Sequence, residues 1–360
     1  MAKLEDVCEI LDNRRIPITA KDRVAGQYPY YGANGVQDYV ADYIFDDELV
    51  LLAEDGGHFG SADKPIAYRV SGKCWVNNHA HVLKPREYID VDYLCYSLMF
   101  RDVSDIVNGA TRQKLTQADM RKIEIPLLSM TEQKAVVDKL GKVFELIALR
   151  KEQLAKLDQL VKSRFVELFG GGNNNSEPLK SFLEDITYGF TNPMPDAEEG
   201  PWKVTAKDVV NGKVNYDTAR KTTVQAFEEL TAKSKPTVGD VLLTKDGTLG
   251  RCAVVEEEGI CVNQSVAVLK CNKRILPKFL AILLQMPEYQ REMLKNAGGG
   301  TIKHIYITKV VDMLIVVPTI SQQMEFLSFV EQTDKSKLAI QQSLDKLEML
   351  KKSLMQEYFG

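Results

Sequence analysis

The stretch VKSRFVELFG at residues 161–170 returns, with changes, as KKSLMQEYFG at residues 351–360. The offset of 190 residues also relates Gln133 to Gln323, so the match extends well beyond the two quoted stretches. A long internal repeat determines architecture before any local pattern is considered. The chain therefore consists of two related halves, each with a variable part followed by a shared segment.

The shared segments predict two long helices. In the first, residues 131–169 contain no proline, and apolar residues recur at steps of four and three, which is a heptad pattern. A lone helix would leave such a stripe exposed, so we expect the two helices to pair with each other. The predicted coiled-coil and partner-contact positions are Val136, Leu140, Val143, Ile147, Leu154, Leu157, Val161, Leu168, Val330, Leu344, Leu347 and Leu354.

The variable parts predict short strands, because runs rich in Val, Ile, Leu and Tyr are bounded by Asp-Gly, Gly-Gly and Asn-Gly turns. We predict a mixed α+β fold with two strand-rich domains separated by two long antiparallel helices that form a coiled coil. The tandem repeat predicts a pseudo-twofold relation between the halves. The predicted segments are a first domain at 1–130, a first helix at 131–170, a second domain at 171–318 and a second helix at 319–360.

The composition excludes a polybasic protein, because 46 Lys and Arg face 50 Asp and Glu, for a net charge of -4. Residues 1–130 contain 15 basic and 20 acidic side chains, and residues 171–318 contain 18 of each. DNA binding would therefore require a local basic surface. The sequence contains no run of 18 apolar residues, so it predicts no membrane span. It has six cysteines but no CxxC pair, which predicts a cytoplasmic protein with reduced thiols.

Catalytic patterns are not found in the sequence. It contains no GxxxxGK[ST] phosphate loop, and residues 192–195 (NPMP) lack the Pro-Pro-aromatic core of an amino-methyltransferase motif. His79 and His81 would share one face of a strand, but no third ligand is evident, so we predict no metal site. We therefore expect a protein that is not an enzyme and has neither catalytic residues nor a cofactor.

With these features in place, the whole chain resembles the specificity subunits of type I restriction–modification enzymes. The resemblance is carried by GDVLLTKDGTLGR at 239–251, GATRQKL at 109–115, the Ile-Pro pair at 125–126 and the two helix ends ELFG and EYFG. The order and duplication of these motifs are more specific than any one of them. The first half departs from the pattern, because Glu54 stands where the second half has Lys245.

The resemblance implies a non-catalytic subunit with two target-recognition domains, each reading one half of a bipartite, asymmetric sequence in double-stranded DNA. The helices would set the gap between half-sites and dock two modification (methyltransferase) subunits. Restriction/translocase subunits would complete the complex, and no membrane would be involved. S-adenosylmethionine, ATP and Mg would be bound by the partner subunits.

Candidate DNA contacts lie in glycine-rich turns that contain basic, hydroxyl or aromatic side chains, because bare backbone permits close approach. An ordinary solvated hairpin is the alternative for the turn at 245–251, and packing beneath a loop is the alternative for the tyrosines. The candidate residues are Arg14, Arg15, Tyr30, Tyr31, Asn34, Thr111, Arg112, Lys114, Lys245, Thr248, Arg251, Thr301, Lys303 and His304.

Two other functions compete with this interpretation. A coiled-coil adaptor that does not bind DNA would have no need of two strand-rich domains. A fused methyltransferase–specificity enzyme would need catalytic motifs that are missing, in a chain whose 360 residues are fully used by the two halves.

Overall fold

The computed structural model describes residues 1–61, 63–109, 112–170, 176–295, 297–298 and 303–360. The chain forms two compact units. Unit 1 comprises Met1–Gln153 with Ile340–Gly360, and unit 2 comprises Leu154–Ala339. Each unit therefore combines the strand-rich part of one sequence half with portions of both long helices.

The first half of the chain contains the elements that build the domain of unit 1 and the first long helix. They are β1 (Ala2–Lys3), α1 (Leu4–Val7), β2 (Cys8–Ile10), β3 (Ala25–Gly32), β4 (Gly35–Val40), β5 (Phe45–Ala53), β6 (Ala67–Val76), β7 (Ala80–Pro85), α2 (Val91–Met99), α3 (Gln117–Met120), β8 (Glu124–Ile125) and α4 (Met130–Phe169).

The second half contains the elements of unit 2 and the second long helix. They are β9 (Ser176–Pro178), β10 (Leu183–Tyr188), β11 (Ala197–Val204), β12 (Val209–Val210), β13 (Lys213–Val214), β14 (Arg220–Lys221), α5 (Val224–Glu228), β15 (Val241–Thr244), β16 (Cys252–Val254), β17 (Ile260–Val262), β18 (Val266–Cys271), α6 (Pro277–Leu284), α7 (Pro287–Lys295), α8 (Ile307–Val311), β19 (Leu314–Val316) and α9 (Ile320–Phe359).

The same four-stranded core is present in both units. Unit 1 has a six-stranded sheet in the order β2-β7-β5-β6-β3-β4, and unit 2 has a sheet in the order β10-β18-β15-β16. The registers correspond, because Leu52 pairs with His81 in unit 1 and Leu243 pairs with Ala267 in unit 2. The sequence repeat is therefore a repeat of strand order and register.

The central strand of each core is buried on both faces, which explains its continuous apolar sequence. In β5, Val50 and Leu52 belong to one apolar cluster, whereas Leu49 and Leu51 belong to another. In unit 2, β15 is buried along its whole length in the same way. These strands fix the positions of the loops that follow them.

Both long helices begin with a reciprocal cap. The Ser129 hydroxyl accepts a hydrogen bond from the Glu132 amide, and the Glu132 carboxylate accepts one from the Ser129 amide. Thr319 and Gln322 repeat this arrangement at the second helix. Such pairs satisfy amides that a helix N-terminus otherwise leaves free.

A glutamine in the first turn of each long helix connects it to the domain beside it. The Gln133 side chain accepts from the Asp90 amide and donates to the carbonyls of Tyr88 and Leu128. Gln323 accepts from the Leu276 amide and donates to the carbonyls of Arg274 and Pro318. Both glutamines are fully buried. The predicted correspondence between Gln133 and Gln323 therefore marks the position at which each long helix is hydrogen-bonded to its domain.

The helices run antiparallel within each unit. In unit 1, Lys139 donates a hydrogen bond to Tyr358, and Lys151 forms an ion pair with Glu348. Residue numbers therefore rise along one helix as they fall along the other. In unit 2, Lys337 pairs with Asp158 at 2.6 Å. The predicted α+β fold with two strand-rich domains and two antiparallel long helices is confirmed.

The repeated Phe-Gly helix ends pack on the domain helices. In unit 1 the Phe359 ring lies 5.3 Å from Tyr93 of α2, and in unit 2 the Phe169 ring lies 5.6 Å from Phe279 of α6. The end of each long helix thus belongs to the unit built from the other half of the sequence.

The predicted stripe is largely inside the units. The buried members are Val136, Leu140, Val143, Ile147, Val161, Val330, Leu344 and Leu354, and the half-buried members are Leu154, Leu157, Leu168 and Leu347. Among the described residues, no helix is both long enough and apolar enough to cross a membrane.

Candidate nucleic-acid interface

In unit 1, four segments meet at the end of β5. Paired backbone hydrogen bonds join Asn108 to Lys114, and the Leu115 amide donates to the Glu54 carbonyl at 2.7 Å. The Asn34 side chain, from the β3–β4 turn, donates to the Gly56 carbonyl. We name these segments (33–34, 54–58, 79 and the described residues of 108–115) the unit 1 loop cluster.

Unit 2 has the same arrangement at the end of β15. Paired backbone hydrogen bonds join Gly298 to His304, and the Ile305 amide donates to the Lys245 carbonyl at 2.8 Å. We name the described residues of 244–251, 297–298 and 303–305 the unit 2 loop cluster. Thr111 and Thr301, both candidate contacts, lie outside the described residues, as do residues 110, 299, 300 and 302.

The unit 1 loop cluster presents two cations beside two carboxylates. Arg112 donates to Asp55 at 2.7 Å while 61% of its side chain stays exposed, and Lys114 lies 2.8 Å from Glu54 with 51% exposed. Burial would raise the pKa of Glu54, but hydrogen bonds from Lys114 and Arg15 hold it below the ordinary value. Both cations are therefore oriented by their carboxylates and remain accessible.

In the unit 2 loop cluster a single carboxylate joins two basic side chains. Asp246 lies 2.6 Å from the Lys245 ammonium through one oxygen and 2.6 Å from His304 Nδ1 through the other. Lys245 is largely covered and lies over the Tyr188 ring at 5.6 Å. Lys303 is exposed next to His304.

The turn at 244–251 is closed by the buried Thr244 hydroxyl. It accepts from the Arg251 amide at 2.9 Å and donates to the Thr248 carbonyl. The Arg251 side chain is exposed and also donates to the Val209 carbonyl at 3.3 Å. The predicted residues Lys245, Thr248 and Arg251 are thus brought together at one strand end, which is compatible with either a DNA-reading turn or a solvated hairpin.

Arg15 and Tyr30 do not form part of an accessible surface. Arg15 is 13% exposed at its side chain and donates to Glu54 at 2.5 Å. Tyr30 is 1% exposed, and its hydroxyl accepts from the Ile18 amide. The structure brings neither side chain to the surface of the unit 1 loop cluster, because the first forms ion pairs inside the unit and the ring of the second fills its core.

Arg14 and Tyr31 also lie away from the unit 1 loop cluster. Arg14 is exposed, but its guanidinium lies over the Phe45 ring at the start of β5, the opposite end of that strand from Glu54. Tyr31 is half-buried, with its ring 5.8 Å from Tyr68. Of the candidates in the first half, Asn34, Arg112 and Lys114 are the ones that the structure brings together.

The two neighbouring histidines of the first half serve different partners, contrary to the expectation of a shared strand face. His79 precedes β7 and pairs with Asp55 at 2.8 Å, whereas His81 is fully buried and pairs with Asp12 at 2.7 Å. The strand begins only at residue 80, so His79 is free to turn toward the loop cluster.

Asp12, Glu54 and His81 bring possible metal ligands within 4.8 Å of one another. Two cations of the chain already serve these carboxylates, because Arg15 and Lys114 lie 2.5 Å and 2.8 Å from Glu54. A metal ion would have to displace them, so the donor set favours an internal ion-pair network. Sequence patterns missed this group, whose members lie far apart in the chain.

The cysteines show no reactive environment. All six are free thiols, and burial raises the pKa of Cys252 to about 12. A buried thiol of this kind is a poor nucleophile and metal ligand at neutral pH.

Comparison with known proteins assigns the family. The model of the type I restriction modification DNA specificity domain matches residues 1–159 and 180–349. The chain is similar to a putative type I restriction enzyme specificity subunit of Haemophilus influenzae, with 27% identity over 385 residues, covering 98% of this chain and 94% of the relative. It is also similar to the EcoKI specificity subunit of Escherichia coli, with 20% identity over 347 residues, covering 87% and 74%.

Solved structures show the same fold. The type I restriction–modification S subunit from M. genitalium matches with a TM-score of 0.58 at 12% identity, covering 99% of this chain and 95% of that one. A chain from a structural study of complex assembly and conformational transition in the type I system matches with a TM-score of 0.57 at 16% identity, covering 99% and 96%.

The family match spans both sequence halves and includes both loop clusters. It does not favour the coiled-coil adaptor or the fused methyltransferase–specificity enzyme. Members of this family are specificity subunits, which are generally not catalytic. The chain belongs to the type I restriction–modification specificity subunits, and its role is DNA recognition.

Proposed function

We propose that the two loop clusters read the two halves of one bipartite, asymmetric sequence in double-stranded DNA. The observation that carries this proposal is the duplicated scaffold with different side chains. Both clusters join a glycine-containing loop to the end of the central strand by the same backbone pairing, but Glu54 and Lys114 in one correspond to Lys245 and His304 in the other. Two loop clusters with different side chains on equivalent backbone scaffolds would recognise two different half-sites, as an asymmetric target requires.

The chemistry of the exposed residues suits this role. Arg112, Lys114 and Lys303 offer cations to phosphates or to acceptors on base edges. Their number is small and the net charge of the chain is -4, so we expect partner subunits to supply much of the non-specific attraction to DNA. Successive major-groove half-sites lie about 34 Å apart along a duplex, and a 40-residue helix extends about 60 Å, so helices of this length can set the half-site gap.

We place the docking of two modification subunits on the long helices. Unit 1 exposes Leu146, Leu149, Met349 and Leu350 on its helices, and unit 2 exposes Leu160, Val166, Met324 and Leu338. Exposed apolar side chains grouped on helices are typical of interaction surfaces. Leu160 and Leu350 are related by the 190-residue repeat, which supports one modification subunit for each unit.

In this proposal the chain performs no chemistry. S-adenosylmethionine, ATP and Mg are bound by the modification and restriction/translocase subunits, and the specificity subunit selects where they act. No residue of either loop cluster is assigned a catalytic role.

The proposal is tested by sequencing genomic adenine methylation by long reads, with and without an intact copy of this gene. We expect one bipartite motif, with two defined parts and a fixed unspecified gap, to disappear when the gene is disrupted. A methylome that is unchanged in a strain expressing all subunits would contradict the proposal.

Docking is tested separately by mass measurement of the purified complex. Leu160→Glu and Leu350→Glu should each reduce the number of bound modification subunits from two to one. Gln342→Glu, an exposed substitution on the same helix as Leu350, is the matched control and should retain both. Full occupancy in both leucine variants would contradict this docking surface.

A further inference from the structure

A network of charged side chains from distant parts of the chain connects the unit 1 loop cluster to the sheet. The network consists of Asp12, Arg15, Glu54, His81 and Lys114. Glu54 is central, with Arg15 at 2.5 Å on one carboxylate oxygen and Lys114 at 2.8 Å on the other. Arg15 also donates to the Ala80 carbonyl at 2.8 Å, which fixes its position against β7.

His81 is the second centre of the network. Its Nδ1 lies 2.7 Å from Asp12 Oδ2, and its Nε2 lies 2.9 Å from the Leu115 carbonyl oxygen. Each ring nitrogen thus lies within hydrogen-bond distance of an oxygen, so the His81 side chain connects Asp12 to the backbone of the basic loop. Burial opposes ionisation of Asp12, but the hydrogen bond and charge of His81 hold its pKa below the ordinary value.

Two contacts of this network fix the basic loop. The Glu54 carboxylate holds the Lys114 ammonium, and the His81 ring holds the Leu115 carbonyl, one residue further along the chain. The loop that carries Arg112 and Lys114 is thus attached to the sheet through side chains that themselves do not face solvent. A change at Glu54 or His81 would move the basic side chains without removing them.

Unit 2 has no counterpart to this network among its described residues. The strand register places Ala267 where unit 1 has His81, and Lys245 stands where unit 1 has Glu54. The loop of unit 2 is attached by backbone pairing and by the Asp246–His304 contact instead. An effect that depends on the network is therefore confined to unit 1.

We propose that Glu54 and His81 are positioning residues for the half-site that unit 1 reads: they set the place of Arg112 and Lys114 and so determine discrimination in that half alone. This inference rests on the proposed function of the loop clusters. It assigns specificity to residues that do not contact DNA themselves.

The test uses the complete methyltransferase complex and duplex libraries in which one half-site at a time carries single mismatches. The wild-type complex should discriminate against a mismatch by about 10–100-fold in either half. Glu54→Gln, which keeps the shape and removes the charge, should reduce discrimination by about tenfold in one half and leave the other unchanged. Asp47→Asn is the matched control, because Asp47 pairs with Lys84 in the same sheet outside the network.

A purely structural role for Glu54 would lower methylation of the fully matched target and weaken both halves together, and that result would overturn the inference. Unchanged discrimination in Glu54→Gln would also overturn it. If Glu54→Gln fails to assemble, Arg15→Lys takes its place, and the same loss confined to one half is required. A wild-type complex that methylates no bipartite sequence would refute the proposed function and this inference with it.

Discussion

The two loop clusters occupy equivalent places on equivalent scaffolds, yet they are stabilised differently. In unit 1, Lys114 pairs with Glu54 in a network that includes the buried His81. In unit 2, Asp246 joins Lys245 to His304 near the surface. The difference shows that strand order and register can be kept while the charges at the loop are replaced. Under the proposed function, each half would then be able to change its target independently of the other.

The largest expected effect concerns the packing of the helices against each domain. Phe326 is fully buried against Phe165, Phe169 and Phe279, so Phe326→Ala should lower the free energy of unfolding of unit 2 by about 3–5 kcal/mol. Val136→Ala, the repeat-equivalent change in unit 1, removes fewer atoms and should cost about 1.5–2.5 kcal/mol. Denaturant unfolding, monitored by hydrogen exchange in each unit, measures the loss of unfolding free energy in both variants. Equal losses would contradict the difference in packing between the units.

A second pair of substitutions tests whether the buried glutamines stabilise the two units equally. Gln133→Leu and Gln323→Leu leave the half-buried amide of Asp90 or Leu276 without its acceptor, at a cost of about 1–3 kcal/mol each. Because the two glutamines make matching contacts, the losses should agree between units. Hydrogen exchange at those two amides reports the effect directly, and a loss in one unit alone would show that the two glutamines are not equivalent.

A smaller effect is expected for DNA affinity. Removing one phosphate contact reduces the slope of log affinity against log salt by about 0.9. Arg112→Ala and Lys303→Ala should each weaken binding of the assembled complex and reduce the slope by at most this amount. Lys122→Ala, whose side chain is 68% exposed but pairs with Asp119 outside the cluster, should leave the slope unchanged. An unchanged slope in both test variants would show that Arg112 and Lys303 do not contact phosphates.

The smallest effect is the response to acid. Asp12 and Glu54 have pKa values below the ordinary range in the folded protein, so their contribution to stability is present above about pH 4 and is lost as the pH falls through the folded pKa values. Unit 1 should therefore lose stability on acidification, and Asp12→Asn should flatten that dependence. Unfolding measured between neutral pH and pH 3 tests this, and an unaltered slope in the variant would contradict it.

Much of the fold follows from patterns along the chain. The heptad stripe predicts helices that the structure places at Met130–Phe169 and Ile320–Phe359, and the apolar run at Leu49–Ala53 lies within the central strand. The repeat also marks Gln133 and Gln323 as equivalent. These features depend on local periodicity or on self-similarity, both of which a single sequence displays.

The candidate site was less accessible to sequence reasoning. Arg15 and Tyr30 are residue types that contact DNA, but whether such a side chain faces outward depends on contacts with distant segments. Asp12 and His81 are 69 residues apart, and only the pairing of β2 with β7 brings them together. Neither composition nor spacing contains that information.

The central claim is that each loop cluster reads its own half of one target. The most direct test is long-read methylation sequencing of cells that express the complete complex with Arg112→Ala/Lys114→Ala or with Lys303→Ala/His304→Ala. The account predicts that the first double variant relaxes the sequence requirement in one half of the motif and the second relaxes it in the other half. Relaxation of the same half by both variants, or of both halves by either, would contradict it.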